Sequence, residues 1–109
     1  LIDNRPISEQ YRVAANQWVD ADAAASILEE TKSAVFAEMT SALLSDNMRL
    51  AVNRAEVLVK SSPQWKTHVT SMVEARRQAN RFKVEMEYLR MRHSEQQSIE
   101  ATHRAESRL

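Results

Sequence analysis

The stretch EARRQANRFKVEMEYLRMRH, Glu74 to His93, decides the fold. Six of its side chains are Arg or Lys and three are Glu, so it has the charge of a nucleic-acid-binding arm. It also carries Phe82, Val84, Met86, Tyr88, Leu89 and Met91, which is the content of a buried element. Spacing separates the two readings. Ala75, Ala79, Phe82, Met86 and Leu89 step by four and three, the mark of one apolar seam on a helix. Arg76, Lys83 and Arg90 recur every seven residues beside that seam, where coiled coils place charges that meet a partner helix. Val84, Tyr88 and Met91 also step by four and three, on roughly the opposite side. A helix that is apolar on two sides is ordinarily covered on two sides.

Working toward the N-terminus, SSPQW (Ser62 at N-cap, Pro63 at the first helical position) is a strong helix start. The seam runs from Trp65 through His68 and Met72 to Leu89, then turns polar at His93, Gln96, Glu100 and His103. One helix is predicted over about 63–107. Upstream, Tyr11, Ala14, Trp18, Ala21, Ala25, Leu28, Lys32, Val35, Met39 and Ala42 form a second heptad seam with one interruption, Lys32. Ser8 is the expected N-cap, and a single helix is predicted over about 8–44. Nine alanines between Ala14 and Ala42 suit close approach of another helix. Residues 45–62 read as a connector holding a short helix capped by Asn53. Counted outward from that connector, an antiparallel hairpin sets Tyr11 opposite about residue 96, near where the second seam turns polar.

Charge agrees with this pairing. Residues 8–44 hold two basic and six acidic side chains, and Glu74–His93 holds six basic and three acidic. The expected architecture is therefore all-α: a long antiparallel, coiled-coil-like helical hairpin with a short helical connector, forming one domain. Assembly into a four-helix dimer would cover Val84, Tyr88 and Met91, the expected oligomer interface.

Composition narrows the function. The 109-residue chain has no glycine, no cysteine and zero formal net charge. Phosphate-cradling loops and tight hairpins need glycine, and structural disulfides or thiolate metal sites need cysteine. Apolar runs are far shorter than a membrane span, and LIDNRPISEQ lacks a signal-peptide pattern. A cytoplasmic protein that is not an enzyme is expected. EATH (Glu100 to His103) has the Glu-x-x-His spacing of di-iron bundles, but occurs once and in a polar tail; no metal or other cofactor is expected. His68 reads as a packed seam residue. Tyr11, Trp18, Trp65 and Phe82 have the chemistry to stack on bases, yet all four lie on seams and read as core. Arg77, Arg81 and Arg92 are left as candidate nucleic-acid contacts. Glu95, Glu100, Arg104 and Arg108, on the polar end of the second helix, are candidates for docking an external protein.

QWVDADAAASILEETKSAV and the stretch from Glu74 to Leu109, with its Tyr-Leu-Arg-Met centre and Arg-Ala-Glu-x-Arg-Leu end, resemble a family of small all-helical proteins of tailed bacteriophages and prophages. The resemblance covers most of residues 11–109. It implies a phage origin and a place beside DNA replication or recombination, and it carries over no functional residues. A helical accessory protein working through protein–protein contacts is thus the leading expectation, and an accessory DNA-binding protein the alternative.

Overall fold

The computed structural model describes residues 3–109 and is all-α among them. Four helices follow one another: α1 (Ile7–Glu30), α2 (Lys32–Asp46), α3 (Val52–Lys60) and α4 (Pro63–Ser107). α4 packs on α1 as a helical hairpin. The chain divides into two compact units: residues 3–21 with Gln78–Leu109, and Asp22–Arg77.

In the second unit, the predicted start of α4 is present in detail. Ser62 Oγ accepts the Trp65 amide at 3.2 Å and donates to the Val59 carbonyl at 2.6 Å. One hydroxyl thus closes α3 and opens α4. Ser62→Ala is expected to lower stability by about 0.5–2 kcal/mol, measured by urea unfolding followed by circular dichroism. Trp65 meets the Phe36 ring edge-on, with centroids 5.2 Å apart, and stacks on His68 at 5.6 Å. Lys60 Nζ lies 5.7 Å from the centre of the Phe36 ring.

Three expectations are corrected here. The single helix over 8–44 is interrupted at Thr31. The Ile27 carbonyl accepts both the Thr31 amide, at 3.0 Å, and the Thr31 hydroxyl, at 2.6 Å, so the interruption is slight. Beyond the break the inward face widens: Val35 and Met39 of the expected seam are half-buried, Phe36, Thr40 and Leu43 join them, and Ala42 is exposed. Asn53 does not cap α3: Ala51 holds the N-cap position without a side-chain bond, and Asn53 lies inside the helix. Likewise α1 begins one residue before Ser8, with the Pro6 carbonyl accepting the amides of Glu9 and Gln10, both at 3.0 Å.

The hairpin register also shifts. In the second unit Trp65, in the first turn of α4, meets Phe36 and not the end of α2. The last turns of α2 lie beside α3 instead, where Met39, Ala42 and Leu43 share a groove with Leu58 and Val59. In the first unit Gln96 shares grooves with Pro6, Ile7, Ser8 and Gln10, the last within a residue of the expected Tyr11. The offset in the second unit, Phe36 in place of Ala42, is six residues, about 9 Å along the axis.

The seams themselves hold. Every α4 position from Trp65 to Leu89 on the predicted seam is buried or half-buried, and every residue from Met91 on is exposed. On α1, Tyr11, Ala14, Trp18, Ala21, Ala25 and Leu28 are likewise buried or half-buried. The fully enclosed apolar residues are mostly small: Ala14, Ala25, Ala55 and Ala79, with Val59 and Leu89 the larger ones.

Candidate interaction surface

The candidate oligomer residues lie on the side of α4 away from its buried seam. At 100° per residue, Val84, Tyr88 and Met91 fall within one narrow stripe opposite Ala79, Phe82, Met86 and Leu89. They are 65%, 51% and 62% exposed, so neither α1 nor the connector covers them. Ile99, 62% exposed, extends the stripe toward the C-terminus.

The same stripe collects residues singled out for other reasons. Arg81 lies one turn before Val84 and is exposed, and it forms no ion pair among the described residues. Arg92 sits at its edge, with its guanidinium 5.9 Å from the centre of the Tyr88 ring. This distance suits a cation–π contact, which holds the long side chain over the aromatic face. Glu95 continues the line; it flanks one groove with Glu87, Arg90, Met91 and Ser94, and with Arg92, Gln96 and Ile99 it borders another shared with Arg5, Pro6 and Gln10 at the start of the chain. In the first unit, then, two candidate nucleic-acid contacts and one candidate docking residue share a face with the candidate oligomer interface. Arg77 stands apart from them. It belongs to the second unit and pairs with Glu74 at 3.0 Å, one turn away on the same helix.

The remaining docking candidates are on the exposed end of α4. Glu100 receives a long hydrogen bond from Gln96 Nε2, 3.4 Å, and flanks a groove with Pro6, Ile7 and Ser8. Arg104 and Arg108 are exposed. The EATH pair is not joined by a third ligand: no group of three His, Cys, Asp or Glu side chains suited to a metal ion occurs among the described residues. None of the helices there is long and apolar enough to cross a membrane.

Of the basic residues expected to border the seam, Arg76 is the one that forms cross-helix ion pairs. It donates to Asp22 Oδ1 at 2.6 Å, to Glu29 Oε1 at 2.6 Å and Oε2 at 3.0 Å, and to Ser26 Oγ at 3.4 Å. A planar guanidinium bridging two carboxylates one helical turn or more apart locks axial position as well as contact. Hydrogen bonding to Arg76, then its charge, holds the Glu29 carboxyl below the usual range, and the same bonds raise Arg76. Lys83 and Arg90 form no such pair among the described residues.

The sign of the resulting pH dependence follows from linkage. Glu29 has a depressed folded pKa, so its contribution is complete above the ordinary glutamate value of about 4.3. It is lost as pH falls through the lower, folded value. Tm is therefore expected to be flat through neutral pH and to fall in acid, and Glu29→Gln should shrink that fall. High salt should weaken the same contribution, because the groups are partly solvated. Thermal melts across pH and salt measure both.

Sequence reasoning missed two features of this unit. One is the apolar groove of about 380 Å³ lined by Met39, Leu43, Leu58 and Val59, with Asp46 and Gln64 at its margin. It arises from α3 lying beside α2, which the reading of 45–62 as a connector did not foresee. The other is His68 Nε2, buried with no hydrogen-bond partner among the described residues. The seam position of His68 foretold its burial and not this lack. No protein-family model matches the chain, and no curated protein or solved structure matches it either.

Proposed function

We propose that this chain is a non-enzymatic helical interaction protein, encoded by a phage and acting in the host cytoplasm as an accessory factor. It works through coiled-coil-like self-association and protein–protein contacts. The observation that supports this reading is the exposed stripe Val84, Tyr88, Met91 on the far side of an otherwise satisfied helix. Fully burying an exposed apolar side chain contributes about 1.5–3 kcal/mol, and these three retain between half and two thirds of their exposure, so a covering helix has a driving force of part of that per residue. The polar end of α4, with Glu100, Arg104 and Arg108, is left for an external protein. Light scattering after size exclusion tests the first part: a multiple of the monomer mass is expected, and Val84→Glu with Met91→Glu should return it to monomer. A monomer from the unmodified chain at high micromolar concentration would refute self-association.

A second reading rests on the aromatic and basic residues of the same stripe. Arg81, Tyr88 and Arg92 combine phosphate-pairing guanidinium groups with a ring on which a base can stack, as single-strand binding requires. In that case the chain is an accessory DNA-binding protein in phage replication or recombination. Binding of a labelled single-stranded oligonucleotide should then weaken steeply with salt, by about 0.7 logarithmic unit per neutralised phosphate per decade. Absence of binding at low salt removes this reading. The two readings use the same side chains, so DNA and self-association should compete.

A further inference from the structure

We infer that a second copy of this chain docks antiparallel on the outer face of α4, with Tyr88 on the two-fold axis. The inference rests on the self-association proposed above and adds its direction and register. Its basis is the placement of charge about Tyr88. Arg81 and Glu95 lie seven residues before and after it, about 10 Å each way along the helix, and on the same stripe. Val84 and Arg92 lie four before and four after, and Glu85 and Met91 three before and three after.

A two-fold rotation at Tyr88 therefore sets Arg81 of each copy opposite Glu95 of the other. It also sets Arg92 against Val84, whose side chain can receive the aliphatic stem, with Glu85 next to the guanidinium. The Tyr88 rings meet at the centre, each already carrying Arg92 at 5.9 Å. Parallel docking in register does the opposite: Arg81 meets Arg81, Arg92 meets Arg92 and Glu95 meets Glu95. Like charges across a helix seam select strongly against an alignment. Arg81, Glu85 and Glu95 form no ion pair within their own chain among the described residues, so all three are free to pair between copies. A symmetric, isologous contact of this kind closes at two chains.

The absence of cysteine from the sequence makes the test direct. A disulfide requires Cα atoms within about 7 Å. In full-length chain under mild oxidation, Tyr88→Cys should cross-link to itself. Arg81→Cys should not, because its two copies stand about 20 Å apart, but it should cross-link when mixed with Glu95→Cys. Arg81→Glu should weaken dimerisation at least tenfold, and adding Glu95→Arg in the same chain should restore it. A dimer in which Arg81→Cys links to itself overturns the antiparallel register and leaves self-association standing. A dimer that is untouched by Val84→Glu with Met91→Glu and gives no Tyr88→Cys link overturns the choice of face. An unmodified chain that stays monomeric overturns both this inference and the reading beneath it.

Discussion

Leu89→Ala is expected to destabilise the protein by about 2–5 kcal/mol, the range for removing a buried leucine and leaving a cavity. Leu89 is 4% exposed and is the last enclosed position before α4 becomes exposed throughout. In the first unit the other enclosed apolar residues are Ala14 and Ala79, so Leu89 is the largest side chain enclosed there. Small domains hold about 5–15 kcal/mol in total. The variant should accordingly show a large drop in urea midpoint and lost near-ultraviolet signal, with helicity retained at low temperature. Leu89→Met, which keeps the volume, should cost less than about 1.5 kcal/mol. A Leu89→Ala midpoint within error of the parent would show that the first unit does not rely on this contact.

Ala25→Leu is expected to cost about 1–3 kcal/mol by overpacking. Ala25 has no exposed surface, and it lies in the second unit on the same part of α1 as Asp22, Ser26 and Glu29. Those three residues all reach Arg76 at hydrogen-bond distance. Three added carbons at position 25 force the helices apart there, so the bonds to Arg76 should lengthen together with the packing loss. A double-mutant cycle checks this. The effect of Arg76→Met should be smaller in the Ala25→Leu background than in the parent, because neighbouring sites that share a partner are not additive. Full additivity would separate the alanine contact from the ion-pair cluster.

Legibility in the sequence followed physical range. The α4 seam was readable to the residue, because eight positions from Trp65 to Leu89 repeat without a breaker and Ser62–Pro63 marks the start. The α1 seam was readable as far as Leu28. At the break, Lys32 appeared in the sequence as an interruption of the heptad, and the helix is interrupted one residue earlier, at Thr31. The register in the second unit was off by six residues because it depends on where α3 lies, a packing relation that heptad counting within single helices does not contain. Asn53 shows the converse: a good capping residue was present, but the chain entered α3 at Ala51 in extended conformation and needed no side-chain cap. At the candidate site, the stripe Val84, Tyr88, Met91 was evident from spacing alone. That Arg81, Arg92 and Glu95 share its face emerges when residues noted for separate reasons are placed on one helix.

The placement of α3 beside α2 has a kinetic consequence. These helices are joined by a loop of a few residues, and Ser62 links α3 directly to the first turn of α4. Contacts among them close short loops, which costs little chain entropy, and domains rich in such local contacts fold quickly. Folding should begin at this bend and zip outward along the two long arms. Substitutions at Val59 or Phe36 should then slow refolding, whereas substitutions near Ala14 and Leu89 should mainly speed unfolding. Stopped-flow measurements of the variants would expose the opposite order if the arms meet first.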